Sequence, residues 1–303
     1  MTVPLTIVVN PTAGGGKPAR YLPHVTSVLA AAGARYRLCE STSLQHAQAL
    51  ARSAGQRGDT VVAFGGDGLT GALVDAIAEQ GCAFGIIPAG NGNDFARTLR
   101  IPFDPAVAAR TLLEGRPRPV DLIGVTGAGE TEPTMVTGSV YVGIASVANE
   151  IANRTRVLRG PVVYNLAALR ALLGWQPTTF GVQTTNAAGE QATMTFRGYA
   201  VVVANSPYFG AGMKVAPDAH ADDGLLDVVI MRDSPKLTFV RVLMKIKDGS
   251  HVALPAVQAF RASQATVTVD RPLPVGADGE LLPIRPPLHI RTVPGALQVI
   301  VPS

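Results

Sequence analysis

The feature that most constrains this chain is the alternation of short apolar runs and helical stretches through its first hundred residues. Leu5–Asn10, Arg35–Glu40, Thr60–Phe64 and Ala83–Pro88 read as strands, with Ala19–Ala32, Leu44–Arg57 and Leu69–Glu79 as the helices between them. Parallel strands need long crossovers and every crossover here is helical, so the βαβαβαβ order predicts an open, doubly wound α/β sheet. Ligands of such sheets bind beyond the carboxyl ends of the strands. The 303 residues are 47% hydrophobic, enough for two domains with real cores, and Gly and Pro are scattered rather than concentrated, which excludes disordered and fibrous classes.

Helical patterns at Phe95–Leu99 and Ala106–Glu114 lead to Gly115-Arg116-Pro117-Arg118-Pro119, which reads as a break between domains. Beyond it strand-like runs dominate: Pro119–Val125, Thr134–Val142, Thr178–Thr185, Thr193–Ala204, Leu225–Met231, Ala265–Val269 and His289–Val293, with helices at Tyr164–Leu173 and Lys236–Lys247. The expectation is an α/β domain over 1–120, to which 294–303 returns as a last strand, and a β-sandwich over 121–293. No apolar run approaches the roughly 18 residues of a membrane-spanning helix. The start, MTVPLTIVVNP, reads as a first strand rather than a signal peptide, so a cytoplasmic location is expected. Cys39 and Cys82 have no companions at metal spacing and read as reduced core residues. The net charge of +4, carried by 21 Arg and 5 Lys, favours an anionic partner such as a phosphate-bearing ligand or a membrane surface.

Four turns follow the early strands. Asn10-Pro11-Thr12-Ala13-Gly14-Gly15-Gly16-Lys17 offers backbone N–H groups and a lysine to phosphate oxygens, although Pro18 follows the lysine and no Walker A spacing is present. Thr42 follows the second strand. Gly65-Gly66-Asp67-Gly68-Leu69-Thr70-Gly71 formally matches a dinucleotide fingerprint, but Asp67 would point negative charge at a pyrophosphate, which favours phosphoryl transfer over passive dinucleotide binding. Gly90-Asn91-Gly92-Asn93-Asp94 opens a helix that Asp94 can cap. Later, Asp222-Asp223-Gly224-Leu225 and Ala277-Asp278-Gly279-Glu280 read as hairpin turns or as cation-holding acidic turns.

Taken in order, NPTAGGGK, GGDG, IIPAGNGNDFAR, DDGLLDVVI and ADGE resemble the diacylglycerol kinase catalytic family of bacterial lipid kinases across nearly the whole chain, and sphingosine and ceramide kinases look related. The resemblance implies an α/β nucleotide domain like that of phosphofructokinases and NAD kinases, a β-sandwich, and a cleft between them where ATP and magnesium phosphorylate a lipid hydroxyl. It puts the ATP phosphates on Asn10, Pro11, Thr12, Ala13 and Gly14 and on Gly66, Asp67 and Gly68, with Thr42, Gly90, Asn91, Gly92 and Asn93 completing the pocket. It makes Glu280 the general base, Asp67 the residue that orients magnesium and nucleophile, and Asp94 and Asp121 supporting acids. It puts a structural metal on the carbonyls of His220 and Leu225 and the carboxylate of Asp223.

The chain departs from the family pattern after GGDG, where Leu69-Thr70-Gly71-Ala72 replaces Thr and a later Asn-Glu pair, and at Asn91, which stands for Thr. A lost contact to charged phosphate is worth about 1.5–3 kcal/mol, so Thr70 would have to turn in to compensate. An NAD kinase-like enzyme and a non-catalytic nucleotide- or lipid-binding protein on the same fold are the alternatives. The expected partner is a lipid at the inner membrane face, met peripherally, with Arg154, Arg156 and Arg159 as candidate contacts to head groups. No nucleic-acid partner is expected, and the motifs carry no signature of oligomeric state.

Overall fold

The computed structural model describes residues 3–78, 80–154 and 161–303. The first part runs β1 (Leu5–Val9), α1 (Lys17–Ala31), β2 (Tyr36–Glu40), α2 (Leu44–Gln56), β3 (Thr60–Gly65), α3 (Asp67–Ile77), β4 (Ala83–Pro88), α4 (Asp94–Thr98) and α5 (Pro105–Glu114). There follow β5 (Arg116–Thr126), β6 (Thr134–Val136), β7 (Ser139–Gly143), α6 (Ile144–Arg154), α7 (Pro161–Gly174), β8 (Thr178–Thr185), β9 (Gln191–Ala204), β10 (Tyr208–Phe209) and β11 (Met213–Lys214). The last part is β12 (Leu226–Arg232), α8 (Lys236–Lys245), β13 (Val257–Ala262), β14 (Gln264–Val269), β15 (Val275–Ala277), β16 (Glu280–Leu282) and β17 (Leu288–Val301). Two compact units result: residues 1–122, 210–212 and 294–303 form the first, 123–209 and 213–293 the second.

The first unit is a parallel sheet in the order β2-β1-β3-β4-β17, the doubly wound fold that the alternation predicts. Every residue of β1 and β3 is buried, as expected of strands covered by helices on both faces. The chain leaves β1 toward β2 on one side and reaches β3 on the other, so the carboxyl ends of β1 and β3 flank the point where the winding reverses. Helix starts are set by local chemistry. The Ser43 hydroxyl accepts the His46 N–H (3.1 Å) ahead of α2, and Asp104 accepts the Ala106 and Val107 N–H groups (both 2.9 Å) ahead of α5, with Pro105 in the first turn.

The Pro-rich segment that reads as a domain break is the start of strand β5, and the chain passes from the first unit to the second within that strand, between Leu122 and Ile123. N–H groups of residues two apart point to the same strand edge, so Pro117 and Pro119 remove donors from one edge only and leave the other able to pair.

The second unit is antiparallel throughout its pairings. Its path is β16-β15-β7-β9-β8-β14-β17, with β12 on β9, β13 on β12, and β6 on β5. The 14-residue β9 organises it: Gln191–Gly198 pairs with β8, and Ala200–Ala204 lies between β7 and β12. Side chains from all these strands and from α7 and α8 share one core, in which Phe180 stacks on Phe196 (5.4 Å) and Tyr199 on Phe239 (3.9 Å). Cys39 and Cys82 are free and only half-buried, not core residues, and burial still pushes the Cys82 thiol pKa up.

Candidate active site

In the first unit the structure brings the turns after β1, β3 and β4 together. After β1, Asn10 Oδ1 accepts the Thr12 N–H (3.1 Å) and hydroxyl (2.8 Å), tightening a turn that runs through Gly14, Gly15 and Gly16 at φ 57, 75 and 82. These left-handed conformations are open to glycine with little cost, which explains the three in a row. Helix α1 then opens with Lys17 and no acidic residue in its first turn, leaving its positive end available to an anion. Lys17 Nζ reaches across to Asn91 Oδ1 (2.8 Å) and the Gly90 carbonyl (3.4 Å), which ties the first turn to the third.

The turns after β3 and β4 touch backbone to backbone. A Cβ placed on Gly90 would stand 2.5 Å from Gly66 Cα and 2.8 Å from Asn93 Oδ1, so no larger residue fits there. Asn93 Oδ1 accepts the Gly90 N–H (2.9 Å), and Ala89 N–H donates to the Gly65 carbonyl (2.8 Å). Asp67 is the first residue of α3. Its Oδ2 would stand 2.7 Å from a Cβ on Gly92 and its Oδ1 accepts the Phe95 N–H at 3.5 Å, so this carboxylate sits where the two turns meet. Gly68 follows it in the same first turn.

Asp94 does not cap α4. Asn93 takes the cap position in a left-handed conformation (φ 54), and Asp94 is the first helical residue. Its Oδ2 accepts the Ala211 N–H (2.9 Å), and Oδ1 lies 3.9 Å from Arg97 Nε. Burial pushes the Asp94 pKa up, opposed by the N–H groups of Ala211 and Gly212 and by the Arg97 charge. Asp121, buried, accepts the Gly295 N–H (2.8 Å), which fastens β5 to the last strand of this unit. Thr42 lies beside His46, its Oγ 3.3 Å from Nδ1, a neighbour that no sequence pattern indicates.

Leu69 and Thr70 face inward. They are 6% and 2% exposed, and Leu69 packs on the Gly65 backbone. The expected compensation by Thr70 therefore does not occur, because this position belongs to the buried face of α3.

In the second unit Glu280 follows a two-residue hairpin loop, Asp278-Gly279, with φ of 46 and 89 and the pairing Ala277↔Glu280, the type I′ geometry that Asp-Gly favours. The loop is clamped at both ends. The Asp278 carboxylate accepts the Thr137 hydroxyl (2.5 Å) and the N–H groups of Thr137 (2.9 Å), Gly138 (2.9 Å) and Ser139 (2.8 Å). Asn149 Nδ2 donates to the Gly279 carbonyl (2.6 Å) and to the Tyr141 hydroxyl (3.2 Å). Burial pushes Tyr141 up to about 12, so it stays a neutral phenol. Glu280 is exposed as a residue, yet protein packed around its carboxyl raises the pKa above the ordinary glutamate range by desolvation. The Thr137–Ser139 nest and Asn149 escaped the sequence reading, since they lie about 130–141 residues from the turn they hold.

The acidic turn expected to bind a structural metal meets a resident cation. Arg261 donates to Asp223 Oδ2 and lies 3.9 Å from Asp227 Oδ2, while Asp223 Oδ1 accepts the Leu225 N–H (3.0 Å). His220 Nδ1 is 2.8 Å from the Asp218 carbonyl. Both Asp223 oxygens thus have a hydrogen-bond partner, and the other two expected donors, of His220 and Leu225, are backbone carbonyls rather than side chains. Among the described residues no group of three or more His, Cys, Asp or Glu side chains is placed to hold one. Arg154 pairs with Glu150 (2.9 Å), and Glu79 and residues 155–160, with Arg156 and Arg159, lie outside the described residues. No described helix is long and apolar enough to cross a membrane.

A doubly wound domain with apposed glycine turns, followed by a β-sandwich carrying a clamped acidic hairpin, defines a class of two-domain kinases. Residues 4–125 match the diacylglycerol kinase catalytic domain and residues 138–301 the YegS C-terminal NAD kinase beta sandwich-like domain. A protein of Mycobacterium tuberculosis strain H37Rv named diacylglycerol kinase is 32% identical over 84% of this chain and 80% of its own length. One of Bacillus subtilis strain 168 with the same name is 27% identical over 90% and 88%. A crystal structure titled as a diacylglycerol kinase from Bacillus anthracis superposes with a TM-score of 0.73 at 20% identity, covering 99% of this chain and 96% of that one, which bears on the fold. The chain belongs to the diacylglycerol kinase catalytic-domain family of lipid kinases, with the YegS-type sandwich as its second part.

Proposed function

We propose that this protein transfers the γ-phosphate of ATP to the hydroxyl of a diacylglycerol-like lipid. The observation that carries the reading is the meeting at the winding reversal of two anion-facing elements, the open end of α1 with Lys17 and the apposed Gly66 and Gly90 turns, with the Asp67 carboxylate where the turns join. Backbone N–H groups and a lysine can cradle phosphates there, and apposed glycines let the chain approach them closely.

In the proposed mechanism the Asn10–Gly14 and Gly66–Gly68 turns bind the phosphates, and Thr42 and Gly90–Asn93 complete the nucleotide site. Glu280 takes the proton of the lipid hydroxyl as that oxygen bonds to the γ-phosphorus and the bond to the β–γ bridging oxygen breaks, releasing ADP. The clamp on Asp278 and Gly279 fixes the backbone of the turn that presents Glu280. Asp67 is a hard oxygen donor suited to magnesium, which when bound would neutralise phosphate charge. Asp94 and Asp121 support the site by fixing backbone, through Ala211 and Gly295.

The test is incubation with γ-labelled ATP, magnesium and mixed micelles holding a panel of lipids, with Glu280→Gln alongside. Labelled lipid that vanishes in the variant supports the assignment and names the acceptor. Binding of ATP without labelled lipid favours a different acceptor or the non-catalytic reading.

A further inference from the structure

Helices α7 and α8 of the second unit each leave an apolar stripe in the open. On α7, Leu166, Leu169 and Leu173 are exposed at i, i+3 and i+7 with Arg170 among them; on α8, Leu237 and Met244 are exposed at i and i+7 with Arg241 between. Leu173, Leu237 and Met244 are 66, 71 and 69% exposed, far more than scattered surface contacts require. The two helices are anchored on the same core and tied to each other at their ends. Ala171 and Leu172 of α7 and Phe239 and Val242 of α8 enter the same core, Trp175 stacks on Tyr199 and Tyr199 on Phe239, and Lys236 Nζ at the start of α8 donates to the carbonyl of Leu173 (2.6 Å).

We infer that this α7–α8 face docks on the surface of an anionic lipid bilayer. Charge selects the occupant. Neither helix contains an acidic residue, whereas α7 carries Arg170 and α8 carries Lys236, Arg241 and Lys245. Leucines flanked by long cationic side chains are the pattern of a helix lying in a membrane interface, its leucines among the acyl chains and its cations at the phosphates. A second copy fits poorly, since a two-fold contact would set these cations against their equivalents with no acid to pair them. The inference rests on the lipid kinase reading for its purpose: an acceptor dissolved in a bilayer must be met at the bilayer surface.

The test uses the full chain with sucrose-loaded vesicles of phosphatidylglycerol and phosphatidylcholine, and with vesicles of phosphatidylcholine alone. The wild type is expected to sediment with the anionic vesicles, and less so as salt is raised. Arg170→Glu with Arg241→Glu should weaken that binding by more than about 25-fold, each lost cation counting for about fivefold. Leu173→Ser with Leu237→Ser should weaken it by roughly tenfold or more at any salt. Because all four positions are exposed, circular dichroism melts of both variants should match the wild type. A short-chain diacylglycerol dissolved as monomers separates this inference from the kinase reading. Its phosphorylation should be unchanged in both variants, while that of vesicle-borne lipid falls with binding; no phosphorylation of either acceptor by the wild type would reject the kinase reading and leave the vesicle result to decide the surface. Undiminished vesicle binding by both variants would overturn the inference. So would a wild-type dimer in sedimentation equilibrium that Leu173→Ser with Leu237→Ser dissociates.

Discussion

A carboxylate accepts a proton only when ionised, so with Glu280 as the proposed base the desolvation that raises its pKa should also raise the pH below which turnover fails. The sign is fixed: activity is present above that pKa and falls as pH drops through it. The profile of kcat/KM for lipid phosphorylation should show an acid limb above the ordinary glutamate range, and Glu280→Gln should lower kcat by about 10²–10⁴-fold while calorimetric ATP binding stays intact. Gly90 makes a different demand. An alanine there would drive its Cβ into the Gly66 backbone, which no rotamer change relieves, so Gly90→Ala should lose ATP affinity and melt earlier than the wild type in the same calorimetric assays. Leu69 shows how a departure from a family motif can be structural. Its side chain fills space against Gly65, so Leu69→Thr should cost about 2–4 kcal/mol in denaturant unfolding without creating a phosphate contact.

The hairpin before Glu280 is short and would be poorly fixed by its three ladder pairs alone. Asp278 and Asn149 supply the rest, one gathering four donors and the other gripping the Gly279 carbonyl. Asn149→Ala should therefore lower kcat by about tenfold to a hundredfold, as a base displaced by an ångström does, with KM for ATP unchanged; equal loss in both parameters would point to general damage instead. The turn itself was legible, because Asp-Gly between apolar runs has a local cause in positive φ. Its clamp was not, because Thr137–Ser139 and Asn149 meet it only through the tertiary fold. The same division holds elsewhere. The α/β half could be read from periodicity and glycine turns, whereas the start of β5, Arg116–Arg118, hid behind Pro117 and Pro119, whose effect depends on which strand edge is paired. Asp94 was misassigned as a cap because Asn93, one residue earlier, tolerates the left-handed conformation and takes the position.

The chain passes from the first unit to the second in the middle of β5, sends only residues 210–212 back, and returns for good in the middle of β17. The first unit's sheet is thus completed by residues more than two hundred positions after the rest of it. Gln298 and Val299 pair with Ala83 and Phe84 on the edge of β4, and Leu297, Val299 and Val301 are buried there. Gly295 also supplies the N–H that satisfies the buried Asp121 carboxylate. A fragment of residues 1–122 would keep four strands but expose the β4 edge, uncover apolar core and leave Asp121 without that donor, a combination that costs several kcal/mol against a domain stability of about 5–15 kcal/mol. Such a fragment should show a shallow, early melt by circular dichroism and bind little ATP. Joining residues 294–303 to it through a flexible Gly-Ser linker should restore a cooperative melt, since the returning strand is then tethered at high effective concentration. A cooperative, stable 1–122 fragment would show instead that the first four strands fold without the fifth.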